Sequence, residues 1–341
     1  MVNHHYVIML HNGSTYGTAD YTAAPESRET LHTVPHTMAA RPITVSSAFE
    51  SGSIEVVDAS DPSDILLKLV PEPHSQLEDA TFMQWFHFSV SNAEGVPLKI
   101  SITNAGDASF AAGWGETPVG PGYKAVCTYD KLDFFRVPGT SYDADAGTLT
   151  IEITPQQPTL WLSYFAPYPY QRHMELVTKI GATVSGSHSV IGQSLDGRDI
   201  DLLQIGSGAG AQIWVIAQQH PGEHMAEYWT EGLLDRLTDP SDPVSKKLLQ
   251  NATFYVVPRI NPDGCFRGHL RTNAGGANLN REWCDFVLTM MNFAFKMMNF
   301  ALGATARRMT VRSTRRRLWS ARRRSTTVRL EFRLTLDFLF D

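Results

Sequence analysis

The run Ile213-Trp-Val-Ile-Ala217, followed closely by His220-Pro-Gly-Glu223, constrains this chain more than any other feature. An unbroken apolar run bounded by a turn signal reads as a buried strand of a parallel sheet. Beyond the turn, Ala226, Trp229, Leu233 and Leu237 recur at helical spacing. That spacing predicts an amphipathic helix burying those four residues. Strand, tight turn and helix in succession belong to an α/β fold, and the carboxyl end of such a strand is where these sheets carry ligands.

His220 and Glu223 stand on that turn three positions apart, so both side chains can converge on one cation. Neutral imidazole and carboxylate suit zinc, which in a catalytic site takes three protein ligands and keeps one position for water. Alone, the pair fits a loop histidine ahead of a helix-capping glutamate better than a metal site. It is not alone. Phe254-Tyr-Val-Val257 predicts a second buried strand, and Asn261-Pro-Asp-Gly264 predicts a turn after it. Arg267, Arg271 and Arg281 then mix with Asn273, Asn278 and Asn280. Guanidinium forks pair with carboxylates in bidentate fashion, and asparagine amides add directional bonds. A metal-ligand turn followed by such a loop meets the needs of cutting a peptide at its free carboxylate end.

These motifs resemble the zinc metallocarboxypeptidases of the carboxypeptidase A type, in the cytosolic-carboxypeptidase-like branch. The resemblance rests on Ser194-Leu-Asp-Gly-Arg-Asp-Ile200, Gln219-His-Pro-Gly-Glu223, Val257-Pro-Arg-Ile-Asn-Pro-Asp-Gly264, Gly268-His-Leu-Arg-Thr-Asn273 and Asn278-Leu-Asn-Arg-Glu-Trp283. It implies His220 and Glu223 as two zinc ligands and Arg271 as the arginine that steadies the oxyanion. It implies Asn280 and Arg281 as the clamp on the substrate carboxylate. Zinc is the implied cofactor, and peptide or protein C-terminal tails are the implied partners; relatives in this branch trim acidic residues from such tails. Gln218 and Arg259 depart from the pattern, since the branch tends to have Arg and Asn there. The motifs run from about Pro42 to Trp283 and stop.

From 42 to 167 short alternating strands are predicted, among them Gln84–Val90, Leu98–Thr103 and Leu149–Thr154, punctuated by Gly95, Asn104-Ala-Gly106 and Asp145-Ala-Gly147. This spacing predicts an antiparallel β-sandwich, with Trp85, Trp114, Tyr123, Phe134 and Phe135 in its core rather than on a binding face. The branch carries such a sandwich ahead of its catalytic part. Phe165-Ala-Pro-Tyr-Pro-Tyr170 reads as a stiff connector, Gln171–Lys179 as a helix, and Leu195-Asp-Gly-Arg198 as a hairpin turn. His173 and His188 are assigned polar or capping roles. The expected fold class is therefore α/β: a sandwich at 42–167, then a carboxypeptidase-like domain with a mixed central sheet at 168–283. Residues 1–41 are a flexible lead-in.

After Trp283 the character changes. Thr289-Met-Met-Asn-Phe-Ala-Phe295 nearly repeats as Lys296-Met-Met-Asn-Phe-Ala-Leu302, and ten arginines fall between Arg307 and Arg329. Residues 284–341 carry a net charge of +8 within a chain of net −6. An arginine-rich arm suits nucleic acid, but the near-absence of lysine and the tandem slip favour an out-of-frame tail. Nucleic acid is accordingly not the expected partner. No histidine follows His269, so the family's third zinc ligand and its later catalytic glutamate have no counterpart here, and impaired turnover is expected. The alternative is a non-catalytic binder of peptide tails. Three cysteines without C-x-x-C spacing, no secretory signal and no spanning stretch predict a cytoplasmic protein without membrane partners.

Overall fold

The computed structural model describes residues 41–75, 82–116, 122–183, 185–207 and 210–282, which from Pro42 onward lie in one compact unit. The lead-in and the arginine-rich tail lie outside the described residues.

The described residues of the first part form a sandwich of ten strands. They are β1 (Thr44–Ser46), β2 (Glu55–Asp58), β3 (Ile65–Lys68), β4 (His87–Ser91), β5 (Leu98–Ile102), β6 (Val126–Thr128), β7 (Phe135–Arg136), β8 (Gly139–Asp143), β9 (Thr148–Ile153) and β10 (Thr159–Ser163). One sheet has the order β1-β4-β10-β6-β7 and the other β2-β3-β5-β9-β8. Phe86, Phe88, Val90, Ile100, Ile102, Leu149, Ile151, Leu160 and Leu162 interdigitate between them. The expected antiparallel sandwich needs one correction, because β3 pairs with β5 in parallel. Between them β4 runs in the opposite sheet, so the chain crosses the sandwich and re-enters in the same direction.

Gln84–Val90 is buried on both faces rather than one. Phe86, Phe88 and Val90 face the sandwich core. Trp85 points the other way and sits 4.7 Å from the ring of His224, in the second part of the chain. Trp114 is a sandwich-core residue as expected, whereas Trp85 is buried against the second part instead and Phe135 is 41% exposed.

The second part begins with α1 (Tyr170–Gly181), then the hairpin β11 (Gly186–Gln193) and β12 (Asp199–Ile205), β13 (Ala211–Ile216), α2 (Met225–Thr238), α3 (Pro243–Leu249), β14 (Ala252–Val257) and α4 (Pro262–Arg267). The sheet order is β11-β12-β14-β13, with β13 parallel to β14 and the other pairs antiparallel, a mixed sheet as anticipated. Leu176, Ile180, Leu203, Leu234, Leu237 and Val256 close one face of the sheet with α1 and α2.

Three local expectations are overturned. The strand preceding His220 is parallel but not buried: among the described residues β13 is an edge strand, exposed at Ala211–Ile213 and half-buried from Trp214 to Ile216. An apolar run marks a surface to be covered without saying what covers it. In α2 the inward residues are Glu227, Thr230, Leu234 and Leu237, while Trp229 is 60% exposed. The helix is rolled by about one position because Glu227 is drawn inward to pair with Arg259 and His173. Lastly, Asn261-Pro-Asp-Gly264 starts α4 rather than a simple turn. Asn261 Oδ1 accepts from Gly264 N at 3.1 Å with Pro262 next, and Gly268 (φ +72°) closes the helix.

His87 is buried at the join of the two parts, its Nδ1 2.9 Å from Ser51 Oγ. Burial, helped by the charge of Lys131, holds its pKa down at about 3. Between that value and the ordinary histidine pKa the unfolded chain binds the extra proton, so stability present at neutral pH is lost as pH falls below about 6.5. His87→Gln is expected to remove up to about 1.4 kcal/mol per pH unit of that acid sensitivity. Denaturant titrations at neutral and mildly acidic pH measure it; an unchanged slope contradicts it.

Candidate metal centre

His220 follows the carboxyl end of β13 and is buried, while Glu223, three residues on, is half-exposed. The turn between them is held by Glu223 N donating to His220 O at 3.1 Å and Gly222 N donating to Leu270 O at 3.0 Å. A Cβ at Gly222 would come within 3.0–3.2 Å of Leu270, so a larger residue there would push that loop back by a few tenths of an ångström. The result brings His220 Nδ1 within 3.0 Å of Glu223 Oε1. This hydrogen bond to His220 holds the Glu223 carboxyl below its usual pKa.

The far side of the imidazole has two partners. Asn278 Oδ1 lies 3.2 Å from His220 Nε2, and Arg271 Nη1 lies 3.1 Å from the same nitrogen. These contacts demand opposite tautomers. Arginine can donate only to a bare Nε2, whereas the Asn278 carbonyl oxygen can accept only from a protonated one. With Nε2–H given to Asn278, Nδ1 is left as a lone pair aimed towards Glu223, the form a cation requires. Asn278 Oδ1 also accepts from Asn280 N at 3.1 Å, which fixes the amide's orientation. Asn278 was named in the sequence only as one of several loop asparagines; its spacing offers no signal that it, rather than Asn280, faces the histidine.

Asn280 joins His220, Glu223, Gln218, Ala226 and Trp229 around an open cleft of about 570 Å³. Arg281 follows on the same short 3-10 turn, exposed, with Nη1 donating to Asn280 O at 3.3 Å. The five sequence-predicted residues stand near one another: His220 contacts both Glu223 and Arg271, Asn280 lines the same cleft, and Arg281 follows it on the 3-10 turn.

Behind the site lies a buried ionic chain. Arg259 pairs with Glu227, Glu227 with His173 at 2.5 Å, His173 with Asp201 at 3.0 Å, and Asp201 with His188 at 2.6 Å. The two histidines thus have the polar roles expected of them. Gln218 and Arg259, the two departures from the family pattern, are hydrogen-bonded to each other, with Arg259 Nε donating to Gln218 Oε1 at 3.2 Å. Cys127 and Cys265 are buried, free thiols, each pushed up to about 12 by burial.

Comparison with known proteins decides the family. The profile of the cytosolic carboxypeptidase N-terminal domain matches residues 45–165, and that of the zinc carboxypeptidases matches residues 182–304. The chain is a member of the zinc carboxypeptidase family, in its cytosolic-carboxypeptidase branch. The second match runs past Trp283, so similarity to the family does not end with the last recognisable motif. An uncharacterised protein of Zymomonas mobilis is 42% identical over 71% of this chain and 59% of its own length. Metallocarboxypeptidase structures from Burkholderia cenocepacia (37% identity, TM-score 0.65) and Pseudomonas aeruginosa (41%, 0.63) each cover 71% of this chain and 62% of their own. Mouse cytosolic carboxypeptidase 4 is 26% identical over 62% of this chain and 22% of its own length. The chain thus spans about 60% of the length of these bacterial relatives.

Zinc is the cofactor of this metallocarboxypeptidase family. The facing Nδ1 and Oε1 of His220 and Glu223 fit two of the donors it takes. Among the described residues no group of three or more His, Cys, Asp or Glu side chains is placed to hold a metal ion. If Asn278 fixes the metal-binding tautomer, Asn278→Ala will weaken zinc binding by about 10–100-fold, read by competition with a chromophoric chelator. An unchanged affinity would contradict that role.

Proposed function

We propose that this site serves a zinc-dependent carboxypeptidase acting in the cytoplasm on the free C-terminal ends of peptides or protein tails. The observation that carries the reading is the single imidazole of His220, whose Nδ1 faces Glu223 Oε1 at 3.0 Å while Arg271 approaches Nε2 at 3.1 Å. His220 and Glu223 would hold the metal, which when bound supplies a Lewis acid and lowers the pKa of water. Arg271, beside it, is placed to receive the negative charge that develops on the scissile carbonyl oxygen. Asn280, lining the cleft, and Arg281, next in sequence, carry the amide and guanidinium that suit a terminal carboxylate. The names of the cytosolic relatives, and the lack among the described residues of any helix long and apolar enough to cross a membrane, support the compartment.

Binding of peptide tails without turnover is the second reading, favoured by the two-donor metal site among the described residues. One set of measurements separates the two. The full chain, supplied with zinc, is expected to release amino acids from peptide C-termini only slowly, since the described residues bring two metal donors together and no third, with chelator or Glu223→Ala removing that release. Arg281→Ala is expected mainly to raise KM. No release, together with peptide binding that ignores His220→Ala but is lost in Arg281→Ala, would replace the enzyme reading with the binding one.

A further inference from the structure

The loop that carries Arg271 has no regular structure of its own, yet its main chain is buried. Leu270 is 7% exposed and Thr272 fully buried. Consecutive buried N–H groups outside a helix or sheet need acceptors from elsewhere. They find them some two hundred residues earlier in the chain, on Glu72, a buried carboxylate between β3 and β4. Leu270 N and Arg271 N (2.9 Å) donate to its Oε1, and Thr272 N (2.8 Å) and the Thr272 hydroxyl donate to its Oε2. An ionised carboxylate is the one side chain that can accept all four, since it has two oxygens and no donor. A buried charge is tolerated only with such compensation, so carboxylate and loop require each other.

Other contacts from the sandwich reinforce the same loop. The Arg271 guanidinium lies 4.8 Å over the Phe110 ring and 5.8 Å from that of Phe82, within cation–π range. Gly276 (φ +82°) is pressed so closely on the His74 carbonyl that a Cβ would overlap it. Ser51 N donates to Phe266 O at 2.7 Å. Main chain, guanidinium and loop end are thus each held by residues of the sandwich.

We propose that the β-sandwich is a working part of the catalytic site: Glu72 is a positioning residue that fixes the main chain at Leu270–Thr272, while Phe82 and Phe110 carry the guanidinium, so that Arg271 meets His220. The catalytic consequence rests on the carboxypeptidase reading; the positioning itself does not. Glu72→Gln keeps the shape but turns a donor towards the Thr272 N–H. In the full-length chain it should speed amide exchange at residues 270–272 by about tenfold or more while amides of β4 and β14 keep their protection. In the zinc-free chain the ¹⁵N signature of His220 Nε2 accepting from Arg271 should vanish, and Glu72→Asp should restore part of it. Phe110→Leu, at a half-exposed position, leaves the carboxylate alone and should weaken the same signature without unfolding. In turnover, kcat should fall by about 100-fold in Glu72→Gln with KM little changed. Unchanged exchange and an unchanged His220 signature in both variants would overturn the proposal, as would a loss confined to KM. If the unaltered chain releases no amino acid, the carboxypeptidase reading fails, while exchange and the His220 signature still decide the role of Glu72.

Discussion

Everything in the site depends on one imidazole. His220 is buried, so neither ring nitrogen can be left to water, and each must find a partner within the protein. Nδ1 turns to Glu223, the other metal-type donor on its own turn. Nε2 turns to the Arg/Asn loop, where Asn278 and Arg271 make incompatible demands on it. That competition is the site's chemical information, because the Asn278 choice leaves Nδ1 as a lone pair. A bound cation would therefore select the asparagine contact and release the arginine for substrate oxyanion charge.

Holding two loops against one ring requires a rigid backing, and neither loop supplies it. The turn at Gly222 leans on Leu270, and Leu270 leans on Glu72 of the sandwich. Trp85, from the strand that also builds the sandwich core, packs on His224 directly after the metal turn and donates through Nε1 to Ser51 O at 2.7 Å. The interface is thus laid directly beneath the chemistry. The buried chain from Arg259 to His188 fixes α2 from the other side, and it does so with charge rather than apolar area. Such pairs are costly to bury and costly to break, so they define one arrangement more than they add net stability.

Much of this was legible in the sequence because it follows from short-range rules. The Ser194–Arg198 hairpin turn, the α1 helix, the buried β14 strand and the alternating strands of the sandwich all obey periodicity or turn chemistry. The grouping of His220, Glu223, Arg271, Asn280 and Arg281 was legible in another way, through the order of motifs that resemble the family rather than through periodicity. What escaped was set by distant partners. The roll of α2 was decided by Arg259, and the burial of Trp85 by His224, more than a hundred residues away. Glu72, in an unremarkable Pro-Glu-Pro stretch, gains its meaning only from three amides two hundred residues later. The exposure of β13 could not be read locally either, since an apolar run is the same whether or not another layer covers it.

The central claim is that His220 and Glu223 are donors to one metal ion. X-ray absorption at the zinc edge, on the full chain loaded with one equivalent, tests it most directly. The spectrum should fit a shell of nitrogen and oxygen donors at about 2.0–2.1 Å with the outer-shell scattering of an imidazole ring. That imidazole contribution should disappear in His220→Ala. A fit without imidazole, or one that His220→Ala leaves unchanged, would place the metal elsewhere and contradict the account.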